Sequence, residues 1–515
     1  MNLDHPDGAK SFVSDPLPKR IGRILAIAMP SAIALVTQGL INQVDLFFIG
    51  QIGTSMDPQY APQAADSARQ LLESVRTDGQ AAVGISTKVL WLFAGMLSSL
   101  AIGTQAMVAR RDGEGDQLAV GQVAYNSVVL SIGLSVVFTF IALLSLPALF
   151  GYISAGADGV IQTGIAYSQV RLASLVIIVW TASQRAFFDG LGKTWIFMVI
   201  AFGMNAFNII LDYALVFGAF GLPRLETVGA AWASAISAVL GLAALVAWSG
   251  LSTFREFRLW KLANLSWRLM GKIFVFSVPN GLATAIMTAG FLLFDKVVAD
   301  LDVQRVQQEL TAAGFDPSSM SEAAISSAAA SLGTTTSLYQ AATQVIIAVM
   351  MVFFMTGFGF GAAAATLVSQ QMGAGHPNEA SKDGWWTVMI GGGLMALLGL
   401  VLVINPESVA SIFNPEDAAL QTAAAMPLRI VGFGAFFVAG ALILTQALYS
   451  AGMPRFVAGV TVVGIIWLVP GARWFSMGLG WGLPGVWLAA MVFVLILFVC
   501  MGLMFASGRW HKLEI

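Results

Sequence analysis

Asp45 stands deep inside an apolar run from Ile24 to Gly50 that is long enough to cross a bilayer. A carboxylate placed in hydrocarbon costs on the order of 3 kcal/mol by insertion scales, so its presence asks for a reason. Gln38, Asn42 and Asp45 fall at i, i+4 and i+7 and share one helix face. A second stripe, Asn205, Asn208 and Asp212, falls at i, i+3 and i+7 in another apolar run. Two acid-bearing stripes in one apolar chain need each other, water or a cation. Asp45, Asp212, Asn208, Gln38 and Asn42 form an oxygen-rich donor set of the kind a hard cation such as Na⁺ takes, with the two aspartates as the metal ligands in that case. A proton shared by hidden carboxyls is the alternative. The plain alternative is that Asn208 and Asp212 are interhelical hydrogen bonds, and for the amides alone that is the favoured reading. The acids are what point to function.

The rest of the chain must position these groups. Of 515 residues, 57% are hydrophobic and only 10% charged, against about 25% charged in a soluble domain. Lipid must therefore be the solvent for most of the surface. About twelve apolar runs of spanning length follow one another, roughly 23–50, 83–109, 119–146, 161–188, 194–218, 227–250, 270–299, 335–369, 385–404, 418–450, 455–477 and 482–507. The first has a polar leader and no small-residue cleavage site, and is read as a retained helix. Lys and Arg gather in the even-numbered loops and at both ends of the chain, which places both termini in the cytoplasm. The single cysteine, Cys500, excludes an intrachain disulfide framework. The net charge of -2, with no basic run, gives no reason to expect a nucleic-acid partner.

The two halves read as copies. Pro30 precedes Asp45 as Pro279 precedes Asp295, GTQAMVARRDGEGD from Gly103 matches GAAAATLVSQQMGAGHP from Gly361, and Arg171 and Arg429 head the fourth helix of each half. Six helices per half make these parallel repeats, as in secondary transporters whose site lies at mid-membrane. The organisation is a tail at 1–22, a six-helix bundle at 23–251, a basic linker at 252–269, a second bundle at 270–507 and a tail at 508–515. Polar inserts at 54–82 and 303–334 carry RQLLESVR and VQRVQQEL, which read as short amphipathic helices over the outer mouth.

Other polar residues are weaker candidates. Thr284 and Thr288 share a face of the seventh run, and Gln340 and Gln344 open the eighth, where aromatic residues further along could line a cavity for organic cations. Asp295, next to Lys296, reads as a solvated interfacial ion pair. GFGFGA at Gly357 follows no strand and is read as close helix packing. No GxxxxGK[ST] loop exists, and His5, His376 and His511 lie outside the apolar runs. No nucleophile–base pair suggests an enzyme.

These pieces together resemble the multidrug and toxic compound extrusion (MATE) family of cation-coupled antiporters. The resemblance rests on MPSAIALVTQGLINQVDLFFIGQIG, GTQAMVARRDGEGD, QRAFFDGLGKTW, NAFNIILDYALVFGAFGLPRLETVGAAWASAIS and SQQMGAGH. It implies an all-α integral membrane fold of about twelve transmembrane helices in two pseudo-symmetric bundles. The Asn208–Asp212 spacing with Asp45 is similar to the DinF-like branch, which implies a cation-coupling site of Asp45, Asn208, Asp212 and Ser234, the last where the family usually has Thr. Pro30 matches the proline where the first helix of that branch bends. The acids that the NorM-like branch carries on the seventh and tenth helices are absent, with Thr288 near the first. The resemblance implies no cofactor beyond Na⁺ or H⁺ as coupling ion, and a monomeric efflux antiporter of the plasma (inner) membrane with lipid and a small organic, cationic or amphipathic substrate as partners. The alternative is a flippase for a lipid or lipid-linked saccharide on a related two-lobed fold.

Overall fold

A computed structural model describes residues 16–513 apart from 55, 58–65, 154–157, 414 and 416. Among the described residues there is no strand, and twelve helices are long and apolar enough to cross a membrane. They are α1 (Leu17–Gly50), α2 (Ser74–Gly113), α3 (Gln117–Phe150), α4 (Val160–Gly190), α5 (Thr194–Phe217), α6 (Glu226–Ser249), α7 (Trp267–Ala312), α8 (Leu338–Gly373), α9 (Pro377–Ile404), α10 (Ala418–Ser450), α11 (Pro454–Gly478) and α12 (Gly482–Ala506). Their outer faces are apolar: Phe140, Leu144 and Phe433 are 64%, 68% and 73% exposed, while Asp45, Asn208 and Asp212 are 0% exposed. That inverts a soluble protein's pattern and makes hydrocarbon the natural surround.

The packing repeats between halves. In the first, α4 packs on α2, α3 and α6, and α5 on α6; in the second, α10 packs on α8, α9 and α12, and α11 on α12. Between halves, α1 lies on α8 as α7 lies on α2. The turns repeat as well: Gly115 after α2 and Gly375 after α8 both take left-handed backbone, at φ 77° and 78°, a conformation open to glycine at little cost. The two matched motifs meet each other directly. A Cβ on Gly113 would strike the Gln370 carbonyl, and one on Gly373 the Arg110 carbonyl. This reciprocal contact is what a two-fold relation between α2 and α8 produces.

The lobes interlock at the end that carries residues 16 and 513. Asp383, fully buried near the start of α9, pairs with Arg20 and Arg23 of α1, both at 3.0 Å, and accepts from Gln371 Nε2 at 3.3 Å. Arg20 also pairs with Glu379. Gln370 donates to Asp112 Oδ2 at 2.8 Å, Gln105 to Thr366 Oγ1 at 2.9 Å, and Arg110 to the Leu513 carbonyl at 3.1 Å. Further into the bilayer, GFGFGA packs on two sides: Cβ atoms on Gly357 and Gly361 would collide with Leu442 and Gln446 of α10, and one on Gly359 with the Ala32 backbone of α1. Glycine there lets backbones close up, the packing mode expected in lipid.

The polar inserts differ from expectation. RQLLESVR and VQRVQQEL are not separate helices but the protruding ends of continuous ones, Asp66–Gly113 and Trp267–Ala312. The i,i+4 pair Arg305–Glu309 at 2.7 Å, with Arg305 also bonding the Thr335 carbonyl, carries helical order past the bilayer. A further helix, Glu322–Ser331, folds back so that Ala328, Ala329, Val306 and Leu310 form a small core.

Candidate cation site

Three helices build the site. The α5–α6 hairpin sets its register: Leu225 donates to the Leu215 carbonyl at 2.8 Å, and Gly229 lies against that same carbonyl at 2.6 Å from its Cβ position. Counting inward from this contact along both helices brings Asn208 and Asp212 of α5 level with Ser234 of α6. Helix α1 packs along α5 and delivers Asp45. The Ser234 hydroxyl donates to Asp45 Oδ2 at 2.9 Å and accepts from Asn208 Nδ2 at 3.5 Å. The Asp212 carboxyl adjoins that of Asp45. Asp45, Asn208 and Asp212 are wholly buried, and Ser234 is 7% exposed.

Four oxygens in this cluster have no hydrogen-bond partner: Asp45 Oδ1, Asn208 Oδ1 and both oxygens of Asp212. Buried polar atoms are nearly always satisfied, so these oxygens need a proton, a cation or water between them. No group of three His, Cys, Asp or Glu stands together among the described residues. The donors are two carboxyls with neutral oxygens, a set suited to a monovalent hard cation or a proton.

Beyond the site, the end of the first lobe away from residue 16 is closed. Ile49, Ile52, Val83, Tyr167, Val216 and Phe217 pack into one apolar cluster. Outside it, Arg224 grips the buried Asp57 carboxylate with both amino groups at 3.0 Å, and Gly53 N–H donates to the same carboxylate at 3.0 Å.

Two residues at the site carry no functional role in the sequence reading. Tyr167 of α4, 2% exposed, places its hydroxyl at Asp45, and Arg171, one turn along, acts electrostatically on Asp45 and Asp212. The signal was present, since a Tyr and an Arg at i, i+4 in an apolar run imply a polar face. Of the remaining candidates, those whose side chains are described make no hydrogen bond to the cluster. Asn205 is half-buried on the same helix with Oδ1 unpartnered, and Gln38 is half-buried on α1. The Asn42 side chain lies outside the described residues. Thr284 and Thr288 give their hydroxyls to their own helix, to the Asn280 and Thr284 carbonyls at 2.9 Å. Gln340 and Gln344 are exposed at the start of α8. Pro30 lies inside a helix that is continuous from Leu17 to Gly50. Asp295 is half-buried and faces Lys88 of α2 electrostatically across the lobes, and the expected ion pair with Lys296 does not form among the described residues.

The chain matches the MatE family over residues 73–214 and 318–473, more than half its length. The chain belongs to the MatE family. Proteins of this family are transporters, not enzymes. Among curated relatives, the "Probable multidrug resistance protein NorM" of Thermotoga maritima is 26% identical over 453 residues, covering 84% of this chain and 85% of the relative. The "Uncharacterized transporter YisQ" of Bacillus subtilis is 23% identical, covering 88% and 89%. Among solved structures, a multidrug resistance MATE family transporter in an outward-facing conformation superimposes with a TM-score of 0.77 at 17% identity, covering 95% of this chain and 97% of that one. A MATE protein in complex with MaL6 gives 0.76 at 19% identity, covering 95% and 96%. These likenesses carry the MatE fold, two six-helix lobes in a multi-pass membrane protein.

Proposed function

We propose that this MatE protein is a cation-coupled antiporter, driven by Na⁺ or H⁺, that exports small organic molecules of cationic or amphipathic character by alternating access. The observation that carries this reading is the set of four partnerless oxygens on Asp45, Asn208 and Asp212, wholly buried in the first lobe. A coupling cation supplies the missing partner and neutralises charge there. Ser234 and Asn208 orient the Asp45 carboxylate, and Tyr167 closes it from the outer side. Multidrug resistance in the names of the curated relatives supports an organic cargo, and the acidic interior favours a cationic one. The excess of Lys and Arg at the interlocked end supports an orientation with both termini in the cytoplasm, and the membrane we assign is the plasma membrane. The conformation described is then the one closed to the cytoplasm. A membrane potential contributes about 2.3 kcal/mol per charge per 100 mV, enough for roughly fifty-fold accumulation without ATP.

The test is efflux of a fluorescent organic cation from proteoliposomes with Na⁺ and pH gradients imposed separately. One gradient should drive efflux in the wild type, and neither should do so in Asp45→Asn or Asp212→Asn protein that remains monodisperse. Full gradient-driven efflux in both variants would overturn the assignment.

A further inference from the structure

The stretch that joins the two lobes carries charge that the protein leaves unbalanced. Residues 251–272 hold five basic side chains, Arg255, Arg258, Lys261, Arg268 and Lys272, against the single acid Glu256, in a chain whose net charge is -2. All five cations are exposed, and among the described residues none of them forms an ion pair. Other cations at this end face protein carboxylates: Arg20 and Arg23 pair with Asp383 at 3.0 Å, and Arg185 with Asp189 at 2.9 Å. Apolar side chains stand open between the linker cations, with Trp260, Leu262 and Trp267 at 42%, 82% and 77% exposure.

The linker nevertheless has a fixed shape. Phe254, Phe257 and Leu259 are buried in the first lobe's core with Phe187 and Phe188, the Phe254 ring lying 5.4 Å from Phe188 and the Phe257 ring 5.7 Å from Phe187. A Cβ on Gly121 of α3 would strike the Phe257 carbonyl, so glycine lets α3 and the linker touch backbone to backbone. Asn126 of α3 donates to the Asn264 carbonyl at 2.6 Å and accepts from the Ser266 N–H at 2.7 Å. Trp260 Nε1 donates to Ser249 Oγ of α6 at 3.2 Å. Arg258 takes left-handed backbone at φ 47°, uncommon for a residue other than glycine, and its carbonyl accepts from Asn264 Nδ2 at 2.8 Å. One side of the linker is thereby sunk in the lobe, and the other presents cations interleaved with Trp and Leu where α6 ends and α7 begins.

We propose that the docked linker is a binding site for anionic phospholipid, its cations meeting the lipid phosphate and Trp260, Leu262 and Trp267 lying against the glycerol and acyl region. A free anion in water would answer the charge alone and leave three large apolar side chains uncovered, whereas a lipid covers both. Basic groups beside Trp and Leu at the end of membrane spans are what an anionic headgroup layer recognises. The linker packs on α3, α4 and α6 and runs straight into α7 at Trp267. Lipid held there is fixed to the first lobe at its joint with the second. The coupling site takes no part in this.

Purified, delipidated protein is titrated with phosphatidylglycerol or phosphatidylcholine in detergent, and bound lipid is counted by native mass spectrometry. Wild type should take its first phosphatidylglycerol more tightly than phosphatidylcholine, and added salt should erase the difference. Each basic residue at an anionic surface is worth about a five-fold change in binding. Arg255→Gln/Arg258→Gln/Lys261→Gln should therefore bind phosphatidylglycerol about a hundred-fold more weakly. The charge-keeping Arg255→Lys/Arg258→Lys should bind as wild type does, and Arg455→Gln, at an exposed cation of the second lobe, should change nothing. Leu262→Ser should weaken phosphatidylglycerol with the charge left intact. If the triple variant does not fold, Lys261→Gln/Arg268→Gln, at two exposed positions, takes its place with a loss of about twenty-five-fold. Equal affinity of wild type for the two lipids, or undiminished affinity in a folded charge variant, would overturn the site. Displacement of phosphatidylglycerol by an equimolar amount of glycerol phosphate would mean that the surface takes a soluble anion, and would overturn the lipid assignment.

Discussion

Replacing Asp383 by Asn should open the interlocked end of the protein. Asp383 is fully buried and is shared by Arg20 and Arg23 at 3.0 Å each, with Gln371 at 3.3 Å. Arg20 and Arg23 belong to α1 of one lobe and Asp383 to α9 of the other, so the pairs exist only while the lobes are together. Removing one partner of a buried ion pair costs about 3–5 kcal/mol where the remaining charge is left alone, and here Arg20 keeps its pair with Glu379. Asn retains an acceptor, and the arginine side chains are 8% and 18% exposed, which allows some relief by water at the membrane face. A loss of about 2 kcal/mol is therefore expected for the closed arrangement, or roughly a thirty-fold shift toward the open one. Thr366 reports on it. It is 0% exposed and bonds Gln105 and the Asp189 carbonyl of the opposite lobe at 2.9 and 2.7 Å. With Cys500, the chain's single thiol, replaced by Ser, a Thr366→Cys reporter should react with a methanethiosulfonate reagent about thirty-fold faster when Asp383→Asn is added. An unchanged labelling rate in folded protein would refute the reasoning that this charge cluster holds the lobes shut.

Two further outcomes follow from contacts elsewhere. Gly359→Ala should lower the melting temperature, since its Cβ would meet the Ala32 backbone across the lobe interface and overpacking costs about 1–3 kcal/mol; Gly39→Ala, whose nearest neighbour is Met355 at 3.9 Å, should leave it unchanged in the same thermal scan. Burial pushes the His511 ring below its ordinary value, and the ring bonds Ser381 at 2.9 Å. The folded tail thus favours neutral His511, and its stability is present above the ordinary value near 6.5 and lost as pH falls through the lowered one. Carboxypeptidase trimming of the C-terminal tail should be faster at pH 5.5 than at pH 7.5, with that difference absent in His511→Gln after correction for the enzyme's own pH profile.

The membrane class, the succession of twelve spans and the pairing of the halves were all written in the sequence, because hydropathy over a span and a repeated motif are local properties. So were Asp45 and Asp212, since a charge in an apolar run carries its own warning, and Asn208 shares the face of Asp212. The protruding ends of α2 and α7 were misread as separate helices because polarity marks where lipid ends and not where a helix does. Only the folded chain decides which stripe meets which. The α5–α6 hairpin register brings Ser234 to Asp45 and Asn208, and the packing of α4 adds Tyr167 and Arg171. Spacing marks such a polar face but not what it meets, since helix–helix register follows from small residues on two surfaces at once. The same physics fixes the Arg20–Asp383 and Arg23–Asp383 pairs between residues some 360 apart in the chain. Periodicity tells each helix which face to hide, whereas the partner for that face is chosen by shape and charge in three dimensions.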